Sequence, residues 1–332
     1  MSEKSFKAMV ISENEEGKFL QAIKERPISS LPNGDVLVKV AWSSLNYKDA
    51  LSAIGNRGVT RTYPHTPGID ASGTVAESTD PDFKPGDEVI VTSYDLGMNT
   101  SGGFGQYIRV PADWVVPLPN GLSLKESMVL GTAGFTAGQS VLKLVEGDVK
   151  PEDGPVLVTG ATGGVGSIAV GILAHIGYSV AAATGKTADT AFLKSLRAAE
   201  IIDRKELNDA SGRPLLKGRW AGVVDTVGGN YLATALKAAN EWAVVASCGN
   251  VASHKLDTTV FPFILRGVTL CGISSQNCPM PTRRKIWELL AGPWKQPNLL
   301  DIVTEVTLEE LSPKISAILE GGLKGRTLVN MS

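Results

Sequence analysis

Val158-Thr-Gly-Ala-Thr-Gly-Gly-Val-Gly166 carries the densest chemical signal in the chain. Within it, Ala161-x-Gly163-x-x-Gly166 has the spacing of a dinucleotide-binding turn, with alanine in the first place. Small residues at this spacing let the backbone turn tightly, approach a pyrophosphate and seat a helix against a strand. The N–H groups and positive dipole end of that helix then face the phosphates. Before the turn, Val156 to Thr159 predicts a strand. After it, Val165, Ile168, Ala169, Ile172 and Ile176 fall on one helical face, closed by Gly177. A glycine-rich turn can simply turn; placed inside a βαβ unit, this one predicts a bound dinucleotide.

The end of the next strand selects which dinucleotide. NAD sites place Asp or Glu about 20 residues on, to hold the ribose 2′-OH. This chain has Thr184-Gly185-Lys186 there, with no carboxylate. A hydroxyl, a backbone N–H and an ammonium suit a 2′-phosphate, and Arg204, just after the third strand, would add a second cation. Together they predict NADPH, although Lys186 alone reads equally well as a solvated surface lysine.

These residues need elements to hold them. From Ser123 to Ser274 the chain alternates strand with helix. Ser123-Leu-Lys-Glu126 has capping-box spacing and predicts a helix through Leu144. Strands are predicted at Tyr178–Thr184, Ile201–Ile202, Gly222–Asp225, Trp242–Ser247 and Val268–Ile273, with a helix over Ala188–Ala198. Such alternation gives α/β architecture with a doubly wound parallel sheet covered on both faces. The stretch to about Asn120 reads as β-rich: Asp35–Ala41 alternates apolar and polar residues, and Gly73–Ala76 and Glu88–Thr92 flank the Pro85-Gly86-Asp87 turn signal. The last stretch, with helices at Thr282–Ala291 and Ser312–Glu320 and a strand at Arg326–Val329, is too short to fold alone. It is expected to return to the first, making a discontinuous domain of 1–127 and 275–332 around a nucleotide domain of 128–274.

Composition excludes other classes. Lys and Arg total 32 and Asp and Glu 34, a formal net charge of −2 that disfavours nucleic acid or an anionic membrane as a partner. Three cysteines, Cys248, Cys271 and Cys278, are too few for a disulfide framework and suit a reducing compartment. Met1 to Met9 has no apolar segment of the kind a secretory signal needs, and no run approaches a membrane span. The reading is of a cytoplasmic protein.

VTGATGGVGS, Ser44-Leu-Asn-Tyr-Lys-Asp49 and Pro67-Gly-Ile-Asp-Ala-Ser-Gly-Thr-Val75 resemble the medium-chain dehydrogenase/reductase superfamily, and within it the zinc-free quinone-oxidoreductase branch. Leu130-Gly-Thr-Ala-Gly-Phe-Thr-Ala137, Phe261-Pro-Phe-Ile-Leu-Arg266 and Gly325-Arg-Thr-Leu-Val329 are similar to its acryloyl-CoA reductase-like subgroup. The resemblance spans nearly the whole chain. It implies a GroES-like β-rich catalytic domain beside a Rossmann domain, an active site in the cleft between them, and a homodimer. Carried over by motif, Tyr47, Thr162, Gly163, Gly164, Val165, Thr184, Gly185, Lys186, Arg204, Asn250, Ser275 and Arg326 would line the NADPH site. Two positions depart from the pattern: Arg197 stands where relatives carry Gly at a helix end, and Ser274 where Asp is expected.

Zinc relatives use a Gly-His-Glu motif; here the run is Gly68-Ile69-Asp70, without imidazole or thiol. His65, His175 and His254 are scattered, the cysteine lobe of a structural zinc is missing, and no tetrahedral Cys/His set can be written. No metal is expected. Without a Lewis acid, the acceptor should be one that conjugation already activates, so that hydride adds to a β-carbon and charge moves to a carbonyl oxygen as an enolate. Tyr47, supported by Asn46, is the candidate donor or proton relay; it reads equally as a residue packed on the cofactor, with solvent supplying the proton. The basic run Arg283-Arg-Lys285 would meet an anionic tail such as CoA phosphates, or form a solvated helix face. The reaction expected is reduction of acryloyl-CoA or a related enoyl thioester. A quinone reductase and a non-catalytic NADPH-binding sensor are the alternatives.

Overall fold

In the computed structural model residues 4–332 are described; Met1–Glu3, the start of the Met1–Met9 stretch that lacks an apolar segment, lie outside them. The chain opens with a hairpin, β1 (Ser5–Glu13) and β2 (Phe19–Pro27), paired antiparallel. Then follow β3 (Val36–Ser44), α1 (Tyr47–Ala53), β4 (Asp70–Ser78), β5 (Glu88–Thr92), β6 (Tyr107–Val110), β7 (Val115–Pro117) and the long α2 (Leu124–Glu146). The alternating segment comprises β8 (Val156–Thr159), α3 (Gly164–His175), β9 (Val180–Thr184), α4 (Thr190–Ser195), β10 (Glu200–Asp203), β11 (Trp220–Asp225), α5 (Gly229–Lys237), β12 (Ala239–Ser247), α6 (Phe261–Arg266) and β13 (Thr269–Gly272). The chain closes with α7 (Met280–Ala291), β14 (Val303–Thr307), α8 (Leu311–Leu319) and β15 (Arg326–Asn330).

Two compact units result. The first takes the chain through Thr132 together with Gln276–Ala291 and Asn298–Ser332; the second takes Ala133–Ser275 and Gly292–Pro297. The first unit holds a sheet in the order β14-β15-β3-β4-β5-β7, with β6 also on β3. The final strand β15 lies antiparallel to β3, so the two ends of the chain share one sheet, as the short last stretch requires. Its core is built from alternate residues of these strands, Val36, Val38 and Val40 among them, with Phe104, Leu311 and Ile315.

The second unit holds six parallel strands in the order β10-β9-β8-β11-β12-β13. That is the doubly wound arrangement, and its order reverses between β8 and β11, where open α/β sheets bind ligands at the strands' carboxyl ends. The inner strands β8, β9 and β11 are buried throughout, reading VLVT, VAAAT and WAGVVD. α3 departs from the single apolar face read in its sequence: every residue from Gly166 to Ala174 is buried. Its outer side is covered as well, with Gly171 against the Gln296 side chain, whose Nε2 donates to the Ile168 carbonyl at 3.1 Å. The helix predicted over 188–198 is shorter, closing at Ser195.

α2 begins as its capping box predicts: Ser123 N–H donates to Glu126 Oε2 at 2.9 Å, and Glu126 N–H to Ser123 Oγ at 3.2 Å. It is broken at Gly131, with φ 51° and ψ −154°. A Cβ there would collide with Asp70 Oδ2 and crowd Ser44 Oγ, so only glycine fits both the conformation and the space.

Candidate active site

In the second unit, the turn after β8 is made by Gly160, at φ 60°, one residue before the alanine that the spacing identified. Gly166 packs so closely that a Cβ would strike the Gly160 carbonyl; it seats α3 against the strand. Gly163 differs: a Cβ there would meet only the Gly160 carbonyl, at 3.3 Å, so the space in front of α3 is open. Gly163 is also the N-cap of α3, with no side-chain cap and no acidic residue in the first turn. The opening N–H groups, including those of Gly164 and Val165, are therefore left to an anion.

Thr162 is buried beside Thr184, the hydroxyls 3.3 Å apart. Thr184 Oγ1 also accepts from the Lys186 N–H at 3.0 Å. Its hydroxyl thus shapes the turn after β9 from inside. Gly185 is exposed, and a Cβ on it would come within 2.5 Å of Arg204 Nε, so the guanidinium lies over this turn. Lys186, Gly185 and Arg204 are brought together beside a cavity of about 330 Å³ lined by Thr184, Thr190, Lys194, Ile202 and Asp203. Asn250 and Ser275 follow β12 and β13, at the carboxyl edge of the same sheet. Between β8 and β11, Asp225 is fully buried and accepts from Thr159 Oγ1 at 2.7 Å and Gly228 N–H at 2.9 Å. Burial pushes its carboxyl up and these bonds oppose the shift. It fixes the loop at the switch point. This cradle of open helix N-terminus, exposed glycine turn and two cations, with Thr184-Gly185-Lys186 in place of a carboxylate at the end of β9, fits the phosphates of NADPH.

The first unit brings together Asn46, Tyr47 and Arg326 with a residue that the sequence offered only as a departure from a zinc motif. Asp70 is fully buried and accepts from Ser44 Oγ at 2.7 Å, Asn46 Nδ2 at 2.7 Å and Thr132 Oγ1 at 2.6 Å. The break at Gly131 turns the Thr132 N–H onto the same carboxylate, at 2.9 and 3.0 Å. The Arg326 guanidinium stands 3.8 Å from Asp70 Oδ2. It donates to the carbonyls of Val129 at 2.9 Å and Leu45 at 3.4 Å, to Asn46 Oδ1 at 3.3 Å and to Ser44 Oγ at 2.8 Å. Asp49, also buried, accepts the N–H of Asn46 at 2.7 Å and of Ile69 at 2.8 Å. Burial, then the neighbouring Asp70, pushes its carboxyl up to about 7 against those bonds.

Both ends of the Asn46 amide are therefore engaged inward, and Arg326 is 3% exposed. Tyr47 opens α1 at 48% exposure, held from below by this network. The spacing Asn46-x-x-Asp49 was the signal that could have found α1. Asp70 had none, because its partners lie 24 to 256 positions away. Of the basic run, Arg283 is fully buried, bonded to the Thr92 carbonyl at 3.1 Å and hydroxyl at 3.0 Å, so it is not a surface for an anionic tail. Arg284 and Lys285 remain exposed.

The residues present do not fit a zinc ion. Ile69 stands in the histidine place of the motif, the Asp70 oxygens are taken by four donors, and no group of three His, Cys, Asp or Glu is poised for a metal among the described residues. His65 bonds the Gly97 carbonyl at 2.9 Å; His175 and His254 are exposed.

The chain matches the alcohol dehydrogenase GroES-like domain over residues 32–120 and the zinc-binding dehydrogenase family over 164–292. It is 47% identical to the putative quinone oxidoreductase YhfP of Bacillus subtilis, over 93% of this chain and 94% of that one. It is 44% identical to the acrylyl-CoA reductase AcuI of Ruegeria pomeroyi, over 98% and 99%. The fold superposes on B. subtilis yhfP with NAD bound (TM-score 0.96, 46% identity, covering 98% and 99%). It superposes as well on the yhdH oxidoreductase of Salmonella enterica in complex with NADP (TM-score 0.95, 44% identity, 98% and 100%).

Proposed function

The chain belongs to the medium-chain dehydrogenase/reductase superfamily, in its zinc-free quinone-oxidoreductase branch, and from that premise we propose its reaction. It is an NADPH-dependent, zinc-independent reductase that adds hydride to the β-carbon of an activated alkene, acryloyl-CoA or a related enoyl thioester. One observation carries this: the place of a metal-ligand motif is filled by the closed Asp70–Arg326 ion pair, whose acceptors and donors are satisfied by protein. The acceptor must then bring its own activation, as a conjugated carbonyl does. The AcuI relative's name supports the thioester; the YhfP relative's name supports a quinone, which the same hydride chemistry would serve.

Bound NADPH supplies the hydride. Thr162 to Val165 with the α3 N-terminus would hold the pyrophosphate, Gly185, Lys186 and Arg204 the 2′-phosphate, and Asn250 and Ser275 the nicotinamide half. On this reading 128–274 is the cofactor domain, and 1–127 with 275–332 the catalytic one. Tyr47 faces the substrate as donor or proton relay; Asn46 and Arg326 hold it there through Asp70 and Asp49. A homodimer belongs to the same proposal. It is supported by α6 and Trp242, where Ile264 (67% exposed) and Trp242 (77%) lie beside the open edge strand β13. Action in the cytoplasm is supported by three cysteines in 332 residues, and no described helix is long and apolar enough to cross a membrane.

Tyr47→Phe tests the role assigned to the hydroxyl. As a donor to the enolate, its loss should lower kcat at saturating NADPH by up to roughly a hundredfold. A raised KM for NADPH with unchanged kcat would make Tyr47 a cofactor support only.

A further inference from the structure

We propose that Lys48 is a catalytic residue of this reduction, its ammonium meeting the negative charge that develops on the substrate's carbonyl oxygen. The proposal rests on the reductase reading above. Lys48 follows Tyr47 in the first turn of α1 and is half-buried; its Nζ donates to Gln276 Oε1 at 2.9 Å. That neutral amide is its one side-chain partner among the described residues, and no carboxylate there pairs with it within 4.0 Å. Burial pulls the ammonium's proton affinity down, only partly offset by Asp49. A desolvated cation held by one neutral acceptor is costly to keep, and two of its three N–H donors are left for a ligand.

The protein holds this cation in place. The Gln276 carbonyl accepts from the Tyr94 N–H at 3.0 Å and from Arg283 Nη2 at 3.3 Å. Arg283 is fully buried, with its guanidinium 4.4 Å from the Tyr94 ring, and that ring stacks on Trp114 with centroids 5.5 Å apart. To deliver the Tyr94 N–H, Ser93 and Tyr94 both take left-handed backbone, φ 66° and 50°. Two such residues in succession persist only where the surroundings over-determine them, which is typical of functional sites. Tyr47 and Lys48 are thus braced from two sides, by the Asp49–Asp70–Arg326 network through Asn46 and by this second network through Gln276.

The step balances without a metal. As the new C–H bond forms at the β-carbon, the alkene pair moves to join the α-carbon to the carbonyl carbon, and the carbonyl pair moves onto oxygen. The Lys48 ammonium stabilises that oxyanion. The α-carbon then takes a proton from Tyr47 or solvent, the enolate pair returns, and the saturated thioester leaves with oxidised cofactor.

The test compares Lys48→Met, Lys48→Arg and wild type with acryloyl-CoA at saturating NADPH, alongside NADPH affinity by fluorescence titration and thermal unfolding. Lys48→Met should lose roughly a hundred- to a thousandfold in kcat, as for loss of an oxyanion donor, with NADPH affinity and unfolding temperature nearly unmoved. Lys48→Arg, which keeps charge and N–H donors, should recover most of that loss. Should Lys48→Met fail to fold, Lys48→Gln carries the same expectation. Unchanged kcat, a matching loss of NADPH affinity (a lysine for cofactor phosphate), or an arginine variant no better than methionine would each overturn the proposal. Wild type that never consumes NADPH with acryloyl-CoA overturns the reductase reading itself, before any variant is compared.

Discussion

Removing Lys186 and Arg204 together should abolish the preference for NADPH while leaving NADH binding almost untouched. Each cation would make a charge-assisted contact to the 2′-phosphate, worth about 1.5–3 kcal/mol when sheltered. Lys186 is half-buried and Arg204 exposed over Gly185, so solvent screening pulls each towards about 1–2 kcal/mol. The pair then supplies about 2–4 kcal/mol, a loss of roughly thirty- to a thousandfold in NADPH affinity for Lys186→Ala with Arg204→Ala. The phosphate is absent from NADH, whose affinity should change by less than about twofold. Titration calorimetry of both cofactors on both proteins reads this directly. Repeating it at higher salt should shrink the wild-type preference, since exposed charges are screened. Gly185→Ala offers an independent route: its Cβ would reach within 2.5 Å of Arg204 Nε and displace the guanidinium, giving part of the same loss. Equal losses for NADPH and NADH in the double variant would refute the assignment.

Gly163→Val should fold, because a Cβ there meets only the Gly160 carbonyl at 3.3 Å, yet its methyl groups would fill the space before α3. Binding of either cofactor should fall at least tenfold by calorimetry, about 1.4 kcal/mol; undiminished affinity would remove this turn from the site. Asp49 is raised from 3.8 to about 7 in the folded chain, so it contributes stability below its unfolded value that is lost as pH climbs through 7. The unfolding free energy of wild type relative to Asp49→Asn should therefore decline between pH 4 and 7 in denaturant titrations, and a flat difference would contradict the shift. Arg197 closes α4 at φ 65°, and its Nη2 donates to the Ala174 carbonyl at 2.5 Å. Arg197→Gly loses that bond but relieves the left-handed backbone, whereas Arg197→Ala loses it and keeps the strain. Alanine should be the less stable by about 1 kcal/mol, and the opposite order in thermal unfolding would refute this account of the cap.

The nucleotide half was legible because its signals are local. The turn after Thr159, the closing Gly177 and the short apolar runs each lie within a few residues of the element they define, and β8, α3 and β9 follow. Even there the reading misplaced the turning glycine by one position and took α3 for a one-sided helix, since periodicity cannot show that Gly292–Pro297 returns to cover its outer face. The first unit was less legible. β1, β2, β6, β7, α1 and β14 were not predicted, and the function of Asp70 depends on contacts with Thr132 and Arg326 that no spacing rule can reach. Arg283 shows the same limit: among Arg284 and Lys285 it reads as surface charge, and only the fold reveals that it supports Gln276 from within. Lys48 drew no role from the sequence because its meaning lies in having no carboxylate paired with it among the described residues, a property of three-dimensional surroundings.

The central claim is best tested by following NADPH oxidation by the purified wild-type protein with acryloyl-CoA and with quinones, in chelator-treated buffer and with product analysis. One propionyl-CoA should form per NADPH consumed, with a kcat/KM for the thioester well above that for any quinone and no dependence on added zinc. Tight NADPH binding without turnover of any acceptor, or turnover with quinones alone, would contradict it.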